Sequence, residues 1–227
     1  MVRRLHVPCA KGRQLRFRDR LEAAELLAQR LVQYRGQKPL ILAIPRGGVP
    51  MGEHIAKALQ GELDVVLVHK LRAPHQPEFA IGAVSEAKHV YITEDLHRLG
   101  ISREYLEKET QAELKRLKRR RALYTPVRAP ISPAGRITIV VDDGVATGWT
   151  MLAALRLIKD LGPKKLIAAI AVAPPDAIAR LEKEADEMVC LISPREFLAV
   201  GQFFEVFEQV TEEQAIECLR PSPEEKR

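Results

Sequence analysis

Five aliphatic runs constrain the fold of this chain more than any other feature of its sequence. They are PLILAIP at 39–45, DVVLVHK at 64–70, RITIVVDD at 136–143, KLIAAIAVA at 165–173 and EMVCLIS at 187–193. Such runs, without apolar–polar alternation, are typical of strands that are buried on both faces. Stretches with helical spacing separate most of them. This order predicts an α/β fold with a parallel sheet of about five strands flanked by helices, the strands lying near 40–44, 64–70, 137–142, 166–172 and 188–192.

The remaining segments complete a single predicted domain over 1–227. Helical patterns cover 19–34, 50–60, 102–124 and 151–162, and the first begins at Asp19, three residues before Glu22, as in a capping box. Residues 80–92 are predicted to form a hairpin around Glu86, Ala87 and Lys88. With the long helix that follows, this hairpin would form an insertion in the fold.

Composition excludes several classes of protein. Hydrophobic residues make up 46% of the chain and charged residues 29%, an ordinary globular balance. The longest apolar stretch, Leu166–Ala173, is far shorter than the ~20 residues of a membrane-spanning helix. The first residues lack the apolar segment of a signal peptide. Three cysteines without a C-x-x-C pair disfavour a disulfide framework or a zinc site. A cytoplasmic protein without a membrane partner is expected.

The net charge of +6 is concentrated in residues 101–124, which hold eight basic and four acidic residues. Two interpretations are open. A basic helix could bind nucleic acid, with a strong salt dependence, or it could be a solvated face that attracts a polyphosphate substrate. No aromatic residue interleaves KRLKRRR at 115–121, which disfavours nucleic acid as a partner.

The segment VVDDGVATGWTM at 140–151 carries the clearest chemical signal. Asp142 and Asp143 would stand at the carboxyl end of a buried strand, where open α/β sheets bind ligands. Small residues then lead into a helix start, an arrangement that suits a phosphate group. Two carboxylates can accept from a vicinal diol or hold Mg2+, so the segment matches a ribose 5-phosphate. The plainer interpretation is a helix cap beside an ordinary strand end.

This segment resembles the signature of type I phosphoribosyltransferases that binds 5-phosphoribosyl-1-pyrophosphate (PRPP). The resemblance implies that Asp142 and Asp143 are catalytic. It also implies that nine residues bind the ribose and the 5-phosphate, namely Asp142, Asp143, Gly144, Val145, Ala146, Thr147, Gly148, Trp149 and Thr150.

A second segment, IPRGGVP at 44–50, resembles the pyrophosphate loop of the same enzymes. Backbone N–H groups of Arg46, Gly47 and Gly48 would cradle pyrophosphate. The resemblance implies a cis peptide bond that does not involve a proline nitrogen, expected at Arg46–Gly47. Read without the resemblance, the segment is a tight turn that needs glycine.

A third segment, VHKLRAPHQPEFAIGAV at 68–84, resembles the region that faces pyrophosphate and then closes over PRPP. The resemblance assigns Lys70, at the end of the second strand, to pyrophosphate, and Arg72 and His75 to a mobile loop. The plainer interpretation is a solvated loop. Together with FRDR at 17–20, these motifs resemble a bacterial group of predicted phosphoribosyltransferases of uncertain substrate.

The C-terminal segment SPREFLAVGQFFEVF at 193–207 resembles the hood of hypoxanthine–guanine enzymes. The resemblance assigns base binding to Phe197 and Glu205, and divides the domain into a core at about 38–193 and a hood from 1–37 and 194–227. Ala146 stands where those enzymes carry an aspartate, which argues against a 6-oxopurine. The plainer interpretation is that at least three of Phe197, Phe203, Phe204 and Phe207 belong to the core.

The resemblance as a whole implies a pentosyltransferase that moves the 5-phosphoribosyl group of PRPP to a small nitrogenous base and releases pyrophosphate. Mg2+ would be the cofactor, bridging pyrophosphate and ribose oxygens with few protein ligands. No metal-ligating residue is assigned, and homo-oligomerisation is left open. The alternative is a non-catalytic regulator that senses PRPP and binds nucleic acid through helix 101–124.

Overall fold

The structure, a computed structural model, describes residues 16–74, 76–86, 88–92 and 100–221. In chain order the elements are α1 (Arg20–Arg30), β1 (Leu40–Ala43), α2 (Gly48–Leu59), β2 (Glu62–Val65), β3 (Val68–Ala73), β4 (Gln76–Ser85), β5 (Val90–Ile92), α3 (Arg103–Tyr124), β6 (Ile137–Gly144), α4 (Trp149–Asp160), β7 (Lys165–Val172), α5 (Pro175–Leu181), β8 (Glu187–Ile192) and α6 (Glu212–Cys218). Within these ranges, 3₁₀ turns cover Val32–Tyr34 and Val200–Phe203.

The central sheet has five parallel strands in the order β2-β1-β6-β7-β8. Both of its faces are covered, which explains why the strands lack alternation. Leu42 and Val140 pack on the side of α4 and α5. Ile41 and Ile139 pack on the opposite side with α1 and α2. The fold class predicted from the sequence is confirmed.

The strand order reverses between β1 and β6. From β1 the chain moves to one side to form β2, whereas β6, β7 and β8 follow one another on the other side. The loops that leave β1 and β6 therefore diverge at the carboxyl edge of the sheet and leave a crevice between them. In open parallel sheets this switch point is where ligands bind.

The predicted second strand, 64–70, is wrong as a single element. β2 ends at Val65, and β3 begins at Val68 in a separate antiparallel sheet of order β3-β4-β5. Val66 and Leu67 between them are buried. Because the connection is as apolar as the strands and contains neither glycine nor proline, no local signal marks the break. The hairpin predicted over 80–92 is present as β4 and β5; Ala87 at its turn lies outside the described residues.

Helix starts follow the predicted capping chemistry. The carboxylate of Asp19 accepts from the Glu22 N–H at 2.9 Å, and the Ser102 hydroxyl accepts from the Tyr105 N–H at 3.1 Å. In the described part of the chain, no helix is long and apolar enough to cross a membrane.

The two ends of the described chain meet beside the sheet. Phe17 forms a parallel bridge with Phe204, and the Glu205 N–H donates to the Phe17 carbonyl at 2.8 Å. Helix α1, part of the predicted hood, packs on α2 and on β7 and β8. The division into a core at 38–193 and a hood remains a prediction.

Candidate active site at the carboxyl edge of the sheet

Asp142 and Asp143 lie near the end of β6, at the edge predicted from the sequence. The Asp143 N–H donates to Oδ1 of Asp142 at 2.9 Å. Burial, and then the negative charge of Asp143, raise the pKa of Asp142 well above its ordinary value. Burial also raises the pKa of Asp143, but Arg20 opposes that shift. Burial therefore favours protonation of both carboxyl groups in the free protein, and the Arg20 guanidinium opposes it at Asp143.

Arg20 is a site residue that the sequence reasoning missed. Its Nε donates to Oδ2 of Asp143 at 2.8 Å, and its Nη1 donates to the Glu208 carbonyl at 2.6 Å. Its guanidinium carbon lies 3.9 Å from the centre of the Phe207 ring. Two signals could have found it: it lies in the FRDR motif at 17–20, and a cation in the first turn of a helix opposes the macrodipole and therefore needs a compensating partner.

The loop after β1 approaches the acid pair directly. A Cβ placed on Gly47 would lie 2.0 Å from Oδ2 of Asp143, so only glycine leaves room for the carboxylate. The cis bond is Pro45–Arg46, one residue before the predicted Arg46–Gly47 bond. The resemblance identified the loop, and the position of the bond within it is set by the tertiary structure.

Of the three predicted donors in this loop, one is already engaged. The Gly48 N–H donates to the Ile44 carbonyl at 3.1 Å. Among the described residues, no acceptor engages the N–H groups of Arg46 and Gly47. The loop therefore offers two backbone donors to an anion.

The loop between β6 and α4 forms the other wall of the crevice. The Val145 N–H donates to the Val172 carbonyl at 2.9 Å, whereas those of Ala146, Thr147 and Gly148 meet no acceptor within the described ranges. Gly148 has a φ of 88° immediately before α4 begins. Free N–H groups at the start of a twelve-residue helix suit an anion.

Arg180, on α5, supports this loop and was also missed. Its Nη1 donates to the Thr147 carbonyl, and its guanidinium carbon lies 5.3 Å from the Trp149 ring centre. It fixes the loop and places a positive charge next to the free N–H groups. No sequence signal pointed to it, because α5 is separated from the loop by a helix and a strand.

The predicted closing segment has a different structure from that expected. Lys70 lies within β3 of the antiparallel sheet, and not at the end of a strand of the parallel sheet. Arg72 also lies within β3, and not in a loop. The Tyr105 hydroxyl on α3 donates to the Arg72 carbonyl at 3.0 Å. His75 lies outside the described residues. The role of Lys70 toward pyrophosphate and the roles of Arg72 and His75 in closing over PRPP remain predictions.

The C-terminal segment covers the crevice from one side. A Cβ on Gly144 would lie 2.3 Å from Cγ1 of Val200, so glycine at the end of β6 lets this segment approach. The Phe197 ring stacks on Phe203 with centroids 5.7 Å apart, and Phe203 is buried. Glu205 is exposed, with its N–H bound to the Phe17 carbonyl.

These contacts decide how the aromatic residues can be interpreted. Phe203 and Phe204 are buried and Phe197 packs on the core, which fits the packing interpretation for three of the four rings. Phe207 is 37% exposed and is joined to the acid pair through Arg20. Base binding by Phe197 and Glu205 remains a prediction.

The fold and the site define a class. A parallel α/β sheet carries two carboxylates and two loops with free N–H groups at its switch point, so acceptors for hydroxyl groups and donors for anions lie side by side. The chain belongs to the phosphoribosyl transferase domain family, whose model matches residues 18–204. The family prediction made from the sequence is confirmed.

Known proteins similar to the chain agree with this assignment. A protein from Mycobacterium tuberculosis (strain H37Rv), provisionally named a phosphoribosyl transferase, is 39% identical over 204 residues, covering 89% of this chain and 46% of that protein. The chain thus spans about half the length of the curated relatives it matches. The crystal structure of TT1426 from Thermus thermophilus is 41% identical with a TM-score of 0.79, covering 90% of this chain and 98% of that one. A uracil phosphoribosyltransferase from Nocardioides is 41% identical over 59 residues, 26% of this chain and 28% of that enzyme.

Proposed function

We propose that this protein transfers the 5-phosphoribosyl group of PRPP to a nitrogenous base and releases pyrophosphate. One observation carries the proposal: the Asp142–Asp143 pair lies at the switch point of the sheet, between two loops with free N–H groups, and one loop touches it at Gly47. PRPP carries a phosphate at one end of its ribose and a pyrophosphate at the other. It therefore needs an anion-binding loop on each side and acceptors for the ribose hydroxyls between them.

The chemistry divides among the two loops and the acid pair. The C1–O bond to pyrophosphate breaks with its electron pair on the leaving group, and a base nitrogen forms the C1–N bond and gives up its proton. The carboxylates of Asp142 and Asp143 accept from the ribose hydroxyls and lie near the positive charge that develops at C1. The N–H groups of 146–148 hold the 5-phosphate, and those of Arg46 and Gly47 hold pyrophosphate.

Mg2+ is the cofactor that we propose for this reaction. The donor set fits it, because Mg2+ takes one or two carboxylates together with substrate phosphates and water. Arg20 holds Oδ2 of Asp143, so we assign the other oxygen, Oδ1, to such an ion or to a ribose hydroxyl. When bound, the ion would neutralise the leaving pyrophosphate. Among the described residues, no three His, Cys, Asp or Glu side chains cluster as a metal site.

The alternative, a regulator that binds nucleic acid through α3, loses support from the ion pairs of that helix. Arg103, Arg116 and Arg120 pair with Glu107, Glu113 and Glu212, respectively. Arg121 pairs with Glu86 and Asp64. Within the described ranges, acids of the same chain thus engage at least four of the eight basic residues.

The test is a panel of purine and pyrimidine bases incubated with PRPP and Mg2+ and followed by pyrophosphate release. PRPP binding is measured in parallel by calorimetry. We expect release with one class of base, and a loss of turnover of at least about 100-fold in the double variant Asp142→Asn, Asp143→Asn. Binding of PRPP without release for any base would support the regulator, and wild-type turnover in the double variant would exclude the role given to the acid pair.

A further inference from the structure

The side chain of Arg20 lies where a positive charge is energetically unfavourable. It is the first residue of α1, where the helix macrodipole disfavours positive charge, and its side chain is only 14% exposed. A buried guanidinium is tolerated only when its N–H groups find good partners. Arg20 has such partners, and they come from two segments distant in sequence.

Those partners connect the acid pair to the C-terminal segment. Nε of Arg20 binds Oδ2 of Asp143, while the Phe207 ring and the Glu208 carbonyl hold the rest of the guanidinium. On its other side the same carboxylate oxygen faces Gly47, with no room for a methyl group. The Asp143 carboxylate is therefore clamped between Arg20 and the loop that contains Gly47.

We propose that Arg20 is a positioning residue: it orients the Asp143 carboxylate for the ribose hydroxyls, and Phe207 and Glu208 set its own position. The inference rests on the proposed function, because it assigns Asp143 to the ribose. Through Arg20, the proposal links the C-terminal segment to the carboxylate without a contact between that segment and the ribose.

A merely structural role predicts different behaviour. The chain contains another, less buried ion pair at the opposite edge of the sheet, where Lys165, whose side chain is 36% exposed, binds Glu187 together with Tyr34. Loss of a contact of that type lowers stability and leaves the kinetics of the folded fraction unchanged. Loss of Arg20 should instead change turnover in protein that is fully folded.

The experiment compares Arg20→Ala and Arg20→Lys with a matched control, Arg103→Ala. Arg103 lies on a helix surface, with its side chain 91% exposed and paired to Glu107. Melting temperature, PRPP affinity, KM and kcat are measured for each. For Arg20→Ala we expect kcat to fall about 100-fold, since a misplaced reacting group costs about that factor, with a smaller rise in KM for PRPP. Arg20→Lys keeps the charge but not the planar fork and should be intermediate.

Chemical rescue separates positioning from structure. Guanidinium chloride at low millimolar concentration should enter the space vacated in Arg20→Ala and restore part of kcat and of PRPP affinity, with no effect on Arg103→Ala. A variant that melts earlier but has wild-type kinetics, or that guanidinium does not rescue, would overturn the inference. Wild-type protein that binds PRPP but releases no pyrophosphate would refute the proposed function instead, and PRPP affinity of Arg20→Ala with and without guanidinium would still decide the positioning role.

Discussion

The contact between Gly47 and Asp143 makes a quantitative prediction for Gly47→Ala. Gly47 has a φ of −59°, which alanine adopts freely, so backbone strain does not enter. The new methyl carbon would lie 2.0 Å from Oδ2 and 2.7 Å from Cγ of Asp143. Because non-bonded heavy atoms prefer a separation of about 3.5 Å, the carboxylate must retreat by roughly 1.5 Å.

That displacement should affect both stability and turnover. The carboxylate would be pushed out of the 2.8 Å hydrogen bond with Arg20, and overpacking of this size costs about 1–3 kcal/mol. A reacting group moved by about 1 Å lowers the rate roughly 100-fold. Thermal melting and pyrophosphate release on Gly47→Ala measure the two effects separately.

A double-mutant cycle supplies the control. In an Asp143→Ala background the methyl group of Ala at 47 meets no carboxylate, so only the difference between glycine and alanine at a helix N-cap remains, about 1 kcal/mol or less. We expect a coupling free energy of at least about 1 kcal/mol between the two positions. If the stability changes of the two substitutions were strictly additive, or if Gly47→Ala had wild-type turnover, the proposed clash between position 47 and the Asp143 carboxylate would be refuted.

Three further predictions concern other parts of the site. Because the pKa of Asp142 is raised, the folded state binds more protons than the unfolded chain above the ordinary Asp pKa, and stability is lost as pH rises towards the shifted pKa. Asp142→Asn should therefore raise the melting temperature at pH 8 by a few degrees while lowering turnover, and this gain should disappear near pH 4; a gain independent of pH would contradict the assignment. Phe197→Ala should lower the melting temperature, because its ring packs on Phe203; a selective rise in KM for the base would show instead that Phe197 binds it. Arg180→Gln loses the hydrogen bond to the Thr147 carbonyl and should weaken ribose 5-phosphate binding about 10-fold by calorimetry, with little change in melting temperature.

Much of the fold and part of the site could be predicted from the sequence because their causes are local. Asp19 and Ser102 cap helices through bonds to N–H groups three residues away. Buried strands are recognised by aliphatic runs, since both faces of the sheet are covered. Asp142 and Asp143 follow such a run directly, so their place at the carboxyl edge was predictable.

The position of a backbone break within an apolar stretch was not predictable. The sequence from Asp64 to Lys70 is uniformly suited to a strand, yet the chain leaves the parallel sheet after Val65 and starts an antiparallel one at Val68. Val66 and Leu67 would be buried whether the strand continued or broke at this point, so the local sequence favours neither arrangement over the other. Packing of α3 and α4 on the second sheet decides between them.

The sequence by itself therefore determined the type of fold, the helix caps and the two carboxylates, all of which depend on patterns within a few residues. Only the tertiary structure decided what surrounds those carboxylates. Arg20 and Asp143 are separated by 123 positions, and Arg180 reaches Thr147 from another helix. The physical reason is that such contacts depend on which strands lie next to each other at the switch point. The order of strands in the sheet follows from the packing of the whole chain, and no single segment of the sequence contains that information.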